Sequence, residues 1–282
     1  MGRHDEIDGD HLDDLLRRAR AGDRDALEQV VRAIQDPIYG LAMRMLAVPA
    51  EAEDATQEIL IKVVTRLDSF RGESRFTTWV YAVAANHLRT VRAGSLEGDR
   101  FTFEAMSRRQ AEVLPDATAP RAEREVLTRE IKLMCLHGVL LCLDREHRLA
   151  YVLGETLGFS GVDGAQVLGI TPAAFRKRLS RARKRMKAFM TDHCGLVSGE
   201  NRCRCELWCQ RVEQAGLVDE AAPTLSGHPA DDAAQEAALE GLDELQRIVA
   251  LFRSLPGYRA PRHLIADLHH ILTVPRAAGP EA

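Results

Sequence analysis

The sequence predicts an all-α protein, and three observations carry that reading. Ala, Leu, Arg and Glu dominate the chain while aromatic residues make up only 5%, and straight-chain residues lose little rotamer freedom in a helix. Apolar residues recur at three- and four-residue intervals through most of the length. No stretch alternates well enough to make a strand. With 282 residues and 45% hydrophobic content, the chain can fill two small helical domains and still leave an extension.

The first helices are expected between Asp10 and Arg92. The run "HLDDLLRRARAGDRDALEQVVRAIQDPIYGLAMRML" has helical spacing with breaks near Gly22 and at Asp36-Pro37. Next, "EAEDATQEILIKVVTRLDSF" sets Ala55, Ile59, Val63 and Leu67 on one stripe. A turn over Arg71–Ser74 precedes "RFTTWVYAVAANHLRTVRA", where helical spacing resumes. From Gly94 to Pro120, Gly, Pro and charges mix without a lasting period, which predicts an extended linker. Periodicity returns at Arg121 and lasts to Met190, with a turn near Leu143-Asp144. Beyond it come a cysteine cluster, an acidic Ala/Pro/Gly stretch to Asp232, a helix near Ala233–Ser254, an interruption at "PGYRAP" and a short helix over Pro261–Leu272. The expected organisation is thus 1–93, a linker 94–120, 121–190, and a C-terminal extension 191–282.

Composition also excludes several classes. No apolar run approaches eighteen residues and Met1–Gly22 is acidic and polar, so a cytoplasmic protein without membrane insertion is expected. Six cysteines, four of them within Cys194–Cys209, do not form a secreted disulfide framework in a chain of this size. With no P-loop, nucleophile motif or catalytic pair of carboxylates, the chain is not expected to be an enzyme.

The segment "TPAAFRKRLSRARKRMK", Thr171–Lys187, holds eight Lys or Arg and no acid, although the whole chain carries a net charge of −4. Phe175, Leu179, Ala182 and Met186 share one apolar face. Arg176, Lys177, Arg178, Ser180, Arg181, Arg183 and Lys184 therefore point outward. Upstream, "SGVDGAQVLGI" reads as a short helix and a turn, with Thr171 as N-cap and Pro172 at the first helical position. Helix, short turn and basic second helix form a helix-turn-helix, whose second helix fits the DNA major groove. Uncompensated cations repel one another unless a polyanion is the partner.

Two segments in this order resemble the extracytoplasmic-function (group IV) sigma factors of the sigma-seventy family. "AEDATQEILIKVVTRLDSFRGESRFTTWVYAVAANHLRTVR" resembles region 2, and "LDREHRLAYVLGETLGFSGVDGAQVLGITPAAFRKRLSRARKRM" resembles region 4. The resemblance implies a promoter-specificity subunit that binds core RNA polymerase and promoter DNA, with an anti-sigma factor as a possible further partner. Asp54, Gln57 and Glu58 match the polymerase-docking positions of region 2. Arg75, Thr77, Thr78 and Asn86 are candidates for minus-ten contact; Trp79 and Tyr81 could stack on an unpaired base, although packing is the stronger expectation for Trp79. Arg176, Lys177, Ser180 and Arg181 would read the minus-thirty-five element, Arg178, Arg183 and Lys184 would anchor phosphates, and Thr171 opens the recognition helix. The linker would thread through the polymerase. Gly161 and Gly164 should weaken the first helix of the motif by about 1 kcal/mol each relative to Ala. The alternative reading is a stand-alone metal- or thiol-sensing repressor, for which a region 2 would have no use.

Cys194, Cys203, Cys205 and Cys209 could close around a soft cation such as Zn or Cu; thiol redox chemistry and an incidental cluster stay open as alternatives, and the core function requires no cofactor. Cys135 and Cys142 read as buried structural residues. In the tail, Leu239, Leu242, Leu245, Ile248, Val249 and Phe252 make an apolar stripe that needs a partner, through which the tail could regulate the domains before it.

Overall fold

The structure, a computed structural model, describes residues 9–92, 96, 101–111, 125–214, 216, 225, 239 and 241–264. Among these residues the regular elements are helices: α1 (Gly9–Arg20), α2 (Arg24–Leu46), α3 (Pro49–Thr65), α4 (Phe76–Thr90), α5 (Phe103–Ala111), α6 (Glu125–Leu141), α7 (Arg145–Tyr151), α8 (Gly161–Leu168), α9 (Pro172–His193), α10 (Cys209–Gln214) and α11 (Glu244–Arg253). The one β-like feature among them is an isolated bridge between Cys194 and Cys203.

The N-terminal helices follow the sequence closely, with one correction. Asp23 caps α2 by accepting the Ala26 N–H at 3.1 Å, and α2 then runs unbroken through Pro37. An interior proline costs about 3 kcal/mol of helix stability, but the residues around it, Ile34, Ile38, Tyr39 and Leu41, are all buried. Burial of each large side chain stabilises by about 1.5–3 kcal/mol, so packing overrides the expected break. In α3, Ala55, Ile59 and Val63 are buried as their stripe predicts, and Leu67 is buried in the 3₁₀ turn that follows.

The segment expected as an extended linker contains a helix. Phe103 of α5 packs on Phe189 of α9 with ring centres 5.4 Å apart, and Ala105 and Met106 are buried. Just before α5, the Phe101 ring covers Gly138 of α6 so closely that a Cβ there would lie 2.8 Å from it. The mixed composition hid this helix because its apolar contacts lie on another part of the chain.

Nor do the helices form two separate cores. One apolar cluster runs continuously from Leu15 in α1 through α2–α4, α6–α9 and α11 to Tyr258. A second, small cluster joins Leu127 and Ile131 of α6 to Cys209 and Val212 of α10. Arg148, only 2% exposed, ties α7 to α2 across the joint. It donates to the carbonyls of Leu140, Leu141 and Leu143 and to that of Met45 in the last turn of α2. Carbonyls at helix ends lack intrahelical partners and carry partial negative charge, so they can hold a buried guanidinium.

The tail helix is shorter than its apolar stripe. Asp243 and Gln246 form a reciprocal capping box at its start, so Leu239 and Leu242 precede the helix. Leu245 is exposed, while Ile248, Leu251 and Phe252 face the core. Most of the acidic stretch, and the short helix expected over 261–272 beyond residue 264, lie outside the described residues.

Candidate nucleic-acid interface

The helix-turn-helix is built from three local devices. Ser160 caps α8 by accepting the Asp163 N–H at 3.1 Å. Gly169 ends α8 at φ +64°, a left-handed conformation open to glycine because it has no Cβ. Thr171 accepts the Ala174 N–H at 3.2 Å and Pro172 opens α9. The apolar face then seats as its spacing predicts, with Phe175, Leu179, Ala182 and Met186 buried. Gly164 has a role the sequence did not suggest. A Cβ there would fall 2.4 Å from the Phe175 ring, and one on Gly154 would fall 2.7 Å from Leu179. Glycine at both positions lets the neighbouring helices close onto α9.

Arg176, Lys177, Ser180, Arg181, Arg183 and Lys184 are exposed on the outer side of α9, and Thr171 is exposed at its start. Two of the expected phosphate anchors already hold carboxylates. Arg178 donates to Glu146, and Arg183 Nε donates to Glu155 at 2.6 Å. Glu155 is 4% exposed, so Arg183 supplies the charge partner that a buried carboxylate needs.

On α4 the expected contact residues are dispersed. Thr77 and Asn86 are exposed, but at about 100° per residue they lie on opposite sides of the helix. Thr78 is 2% exposed; it points inward and offers no surface to DNA here, which corrects the sequence expectation. Trp79 packs on Phe76 and Phe70, with ring centres 5.8 and 5.6 Å away, in keeping with a packing role. Arg75 reaches across to Asp163 of α8 at 3.3 Å. On α3, Asp54 and Glu58 are exposed and Gln57 is half-buried, with Glu58 3.8 Å from Lys62.

The two halves of the interface face each other. Besides the Arg75–Asp163 pair, Arg89 of α4 pairs with Glu146 of α7 at 2.8 Å and donates to the Leu168 carbonyl of α8 at 3.2 Å. Arg145 covers the C-terminal end of α4, donating to the carbonyls of Arg89, Val91 and Arg92. Tyr81 meets Phe159 edge-on at 5.0 Å. Sequence reading missed Glu146, Glu155 and Asp163 as partners, because their guanidinium groups come from other elements.

The thiols are arranged differently from the expectation. Cys194 caps the end of α9, and the Cys203 carbonyl accepts the Gly195 N–H at 3.1 Å. Cys205 opens a 3₁₀ turn. Cys135 of α6, expected to be purely structural, is within electrostatic reach of these three; burial first, then the thiols Cys205, Cys194 and Cys203, push its pKa up. Burial likewise raises Cys194, Cys203 and Cys205. Cys209 turns away into the second apolar cluster, 3.5 Å from the Thr128 hydroxyl. All six cysteines are free thiols. Burial favours the protonated form, which is a poor metal ligand and a poor nucleophile. Among the described residues no group of three or more His, Cys, Asp or Glu is placed to hold a metal ion, so the expectation of Zn or Cu at these thiols is unsupported.

A capped helix-turn-helix with an acid-free outer face, packed on a helical bundle, defines a DNA-binding protein of two helical parts. Residues 30–93 match Sigma-70 region 2, and residues 133–186 match Sigma-70, region 4. The RNA polymerase sigma-H factor of Pseudomonas aeruginosa is 33% identical over 174 residues, 60% of this chain and 89% of that protein. The extracytoplasmic-function sigma-E factor of Haemophilus influenzae is 30% identical, covering 60% and 90%. A solved structure of the sigma factor RpoE with the anti-sigma factor NepR from Bartonella quintana aligns at 20% identity and TM-score 0.38, over 58% of this chain and 95% of that one.

The chain belongs to the sigma-seventy family of RNA polymerase sigma factors, in its extracytoplasmic-function class. Its function is promoter recognition for transcription initiation, as the subunit that binds core polymerase and promoter DNA. The stand-alone repressor reading is not supported, since region 2 is present. No helix among the described residues is long and apolar enough to cross a membrane.

Proposed function

We propose that promoter reading rests on the exposed face of α9, with Arg176, Lys177, Ser180 and Arg181 toward the bases of the minus-thirty-five element and Lys184 on phosphate. The observation that carries this is a water-facing, acid-free row on a helix whose entry is fixed by Thr171 and Pro172. Arg178 and Arg183 join it by exchanging their carboxylates for phosphate. Thr77 and Asn86 stay candidates for minus-ten contact from α4, with Arg75 once it leaves Asp163. Asp54, Gln57 and Glu58 present the polymerase dock on α3. The work is non-enzymatic, needs no cofactor and is done in the cytoplasm, where polymerase and DNA meet. An anti-sigma factor would act by covering these same faces. A soft metal at the tail thiols could add control, and this would require them to rearrange.

The test is co-elution of the purified chain with bacterial core polymerase, followed by transcription from promoters selected by the complex. Arg176→Ala or Arg181→Ala should relax selection at one or two base pairs and weaken binding there by about 1–3 kcal/mol. Lys184→Ala should weaken all promoters alike and lower the salt slope by about one. Absence of any complex with core from folded protein would reject the proposal.

A further inference from the structure

The arrangement of α4 against α8 cannot be the working one. The minus-ten and minus-thirty-five elements lie about 25 base pairs apart, roughly 85 Å at about 3.4 Å per pair. Here α4, which carries the minus-ten candidates, is ion-paired and stacked on α8 of the helix-turn-helix. A chain folded this way can engage one element but not both. The two parts must separate, and what holds them together governs activity.

We propose that residues 255–264 form a strap that locks the two DNA-binding parts in this closed arrangement, so that release of the strap is a condition for promoter engagement. The inference rests on the sigma-factor function established above. The strap is anchored on the region 4 side by α11. Phe252 packs edge-on against Tyr151 at 5.4 Å, Arg253 donates to the Glu155 carbonyl at 2.9 Å, and Arg247 donates to the Val197 carbonyl at 3.0 Å. The chain then leaves α11 and crosses to region 2. Arg44 of α2 donates to the carbonyls of Leu255 and Pro256 at 3.3 and 3.0 Å.

Tyr258 is the pin. Its ring lies 5.3 Å from the Arg44 guanidinium and meets Tyr39 of α2 edge-on at 6.5 Å. Its hydroxyl bonds His137 of α6 at 3.1 Å. His137 Nδ1 faces the Leu133 carbonyl at 2.8 Å; a carbonyl only accepts, so Nδ1 carries the proton and Nε2 receives the tyrosine O–H. One side chain therefore touches both halves of the molecule. Further on, the Ala260 N–H donates to Asp36 of α2 at 2.9 Å, and His263 lies 3.5 Å from Glu53 of α3, one residue before the polymerase-docking Asp54.

The charge on Arg44 argues that this contact is specific rather than casual packing. The residue is 7% exposed, and among the described residues no ion pair to a carboxylate is found for it. Besides its own helix carbonyl at Gly40 and the neighbouring Tyr81 of α4, the strap meets the guanidinium with two carbonyls and an aromatic face. A cation buried without such partners is strongly disfavoured. Closed, Arg44 Nη1 and Nη2 are bonded while its Nε stays buried without a hydrogen-bond partner; lifting the strap returns the whole guanidinium to water, which keeps the lock reversible.

The test compares the full chain with Tyr258→Ala, by small-angle scattering alone and by affinity for core polymerase. The apparent affinity of a closed chain is reduced by the fraction that is open. Tyr258→Ala should expand the radius of gyration and tighten core binding by about ten-fold, with Tyr258→Phe in between. Asp36→Ala, which removes one strap acceptor from region 2, should shift both readouts the same way by a smaller factor and serves if Tyr258→Ala fails to fold. Folded variants with unchanged radius and unchanged core affinity would overturn the strap and leave the sigma-factor function standing. Expansion without core binding by any variant, wild type included, would do the reverse.

Discussion

Helix α9 and the joint between the two halves treat positive charge in opposite ways. On α9 a row of cations stands in water, and no acid occurs over residues 171–187. At the joint, Arg44 and Arg148 are buried and donate to backbone carbonyl oxygens. The first arrangement is costly to the isolated protein and useful to a polyanion; the second is structural and offers nothing to a ligand. Arg178 and Arg183 fall between, half committed to Glu146 and Glu155. The surroundings of a cation, more than its presence, separate recognition from architecture.

Substitutions can break this contrast. The largest effect is expected from Arg148→Ala, which leaves several buried carbonyls without a donor and should destabilise by about 3–5 kcal/mol, read as a lower urea midpoint. Next is acid. Burial holds His137 down at about 4 from 6.5, with the Arg44 charge lowering it further, while the Leu133 hydrogen bond and Glu130 oppose the shift. The unfolded chain therefore binds the proton first. Stability is complete above pH about 6.5 and should fall by about 3 kcal/mol as pH drops to 4. His137→Asn should flatten that limb, and parallel curves for the two proteins would refute the assignment.

Gly164→Ala separates two effects of opposite sign. Helix propensity alone predicts a gain of about 1 kcal/mol, but the Phe175 ring leaves no room. Overpacking should win, for a net loss of about 1–3 kcal/mol, measured by thermal unfolding. A smaller gain is expected at Ala47, which ends α2 at φ +62°; Ala47→Gly should stabilise by about 1 kcal/mol. Smallest of all, Arg181→Ala should change stability by no more than about 0.5 kcal/mol while promoter binding falls, which sharpens the distinction between the two classes of arginine.

What the sequence disclosed was local. The Ala55–Ile59–Val63 stripe, the Thr171 cap, Pro172 and the buried face of α9 each depend on residues a few positions apart, and periodicity reports such relations directly. The features it concealed are long-range. The strap bonds Arg44 to Pro256, 212 residues away, and Asp36 to Ala260, 224 residues away. "PGYRAP" reads as punctuation until its partners are in view. Cys135 looked like one more apolar residue of α6 because the thiols that act on it, Cys194, Cys203 and Cys205, arrive from the end of α9 and beyond. Pro37 misled for the same reason, since the burial that offsets it comes from other helices. One clue was present: Arg44 sits within the apolar run "GLAMRML", and a charge in such a run implies a partner elsewhere.

The pairs Arg75–Asp163, Arg89–Glu146, Arg178–Glu146 and Arg183–Glu155 bear on how promoter binding responds to ionic strength. A free arginine that meets phosphate liberates a condensed counterion from DNA, and affinity falls steeply with salt in proportion to the number of such contacts. An arginine already bound to a carboxylate must first surrender it, and the freed carboxylate gathers cations from solution. Part of the ion release is cancelled. This protein should therefore lose affinity with rising salt more gently than its count of arginines suggests, and promoter occupancy should be buffered against changes in the ionic strength around it.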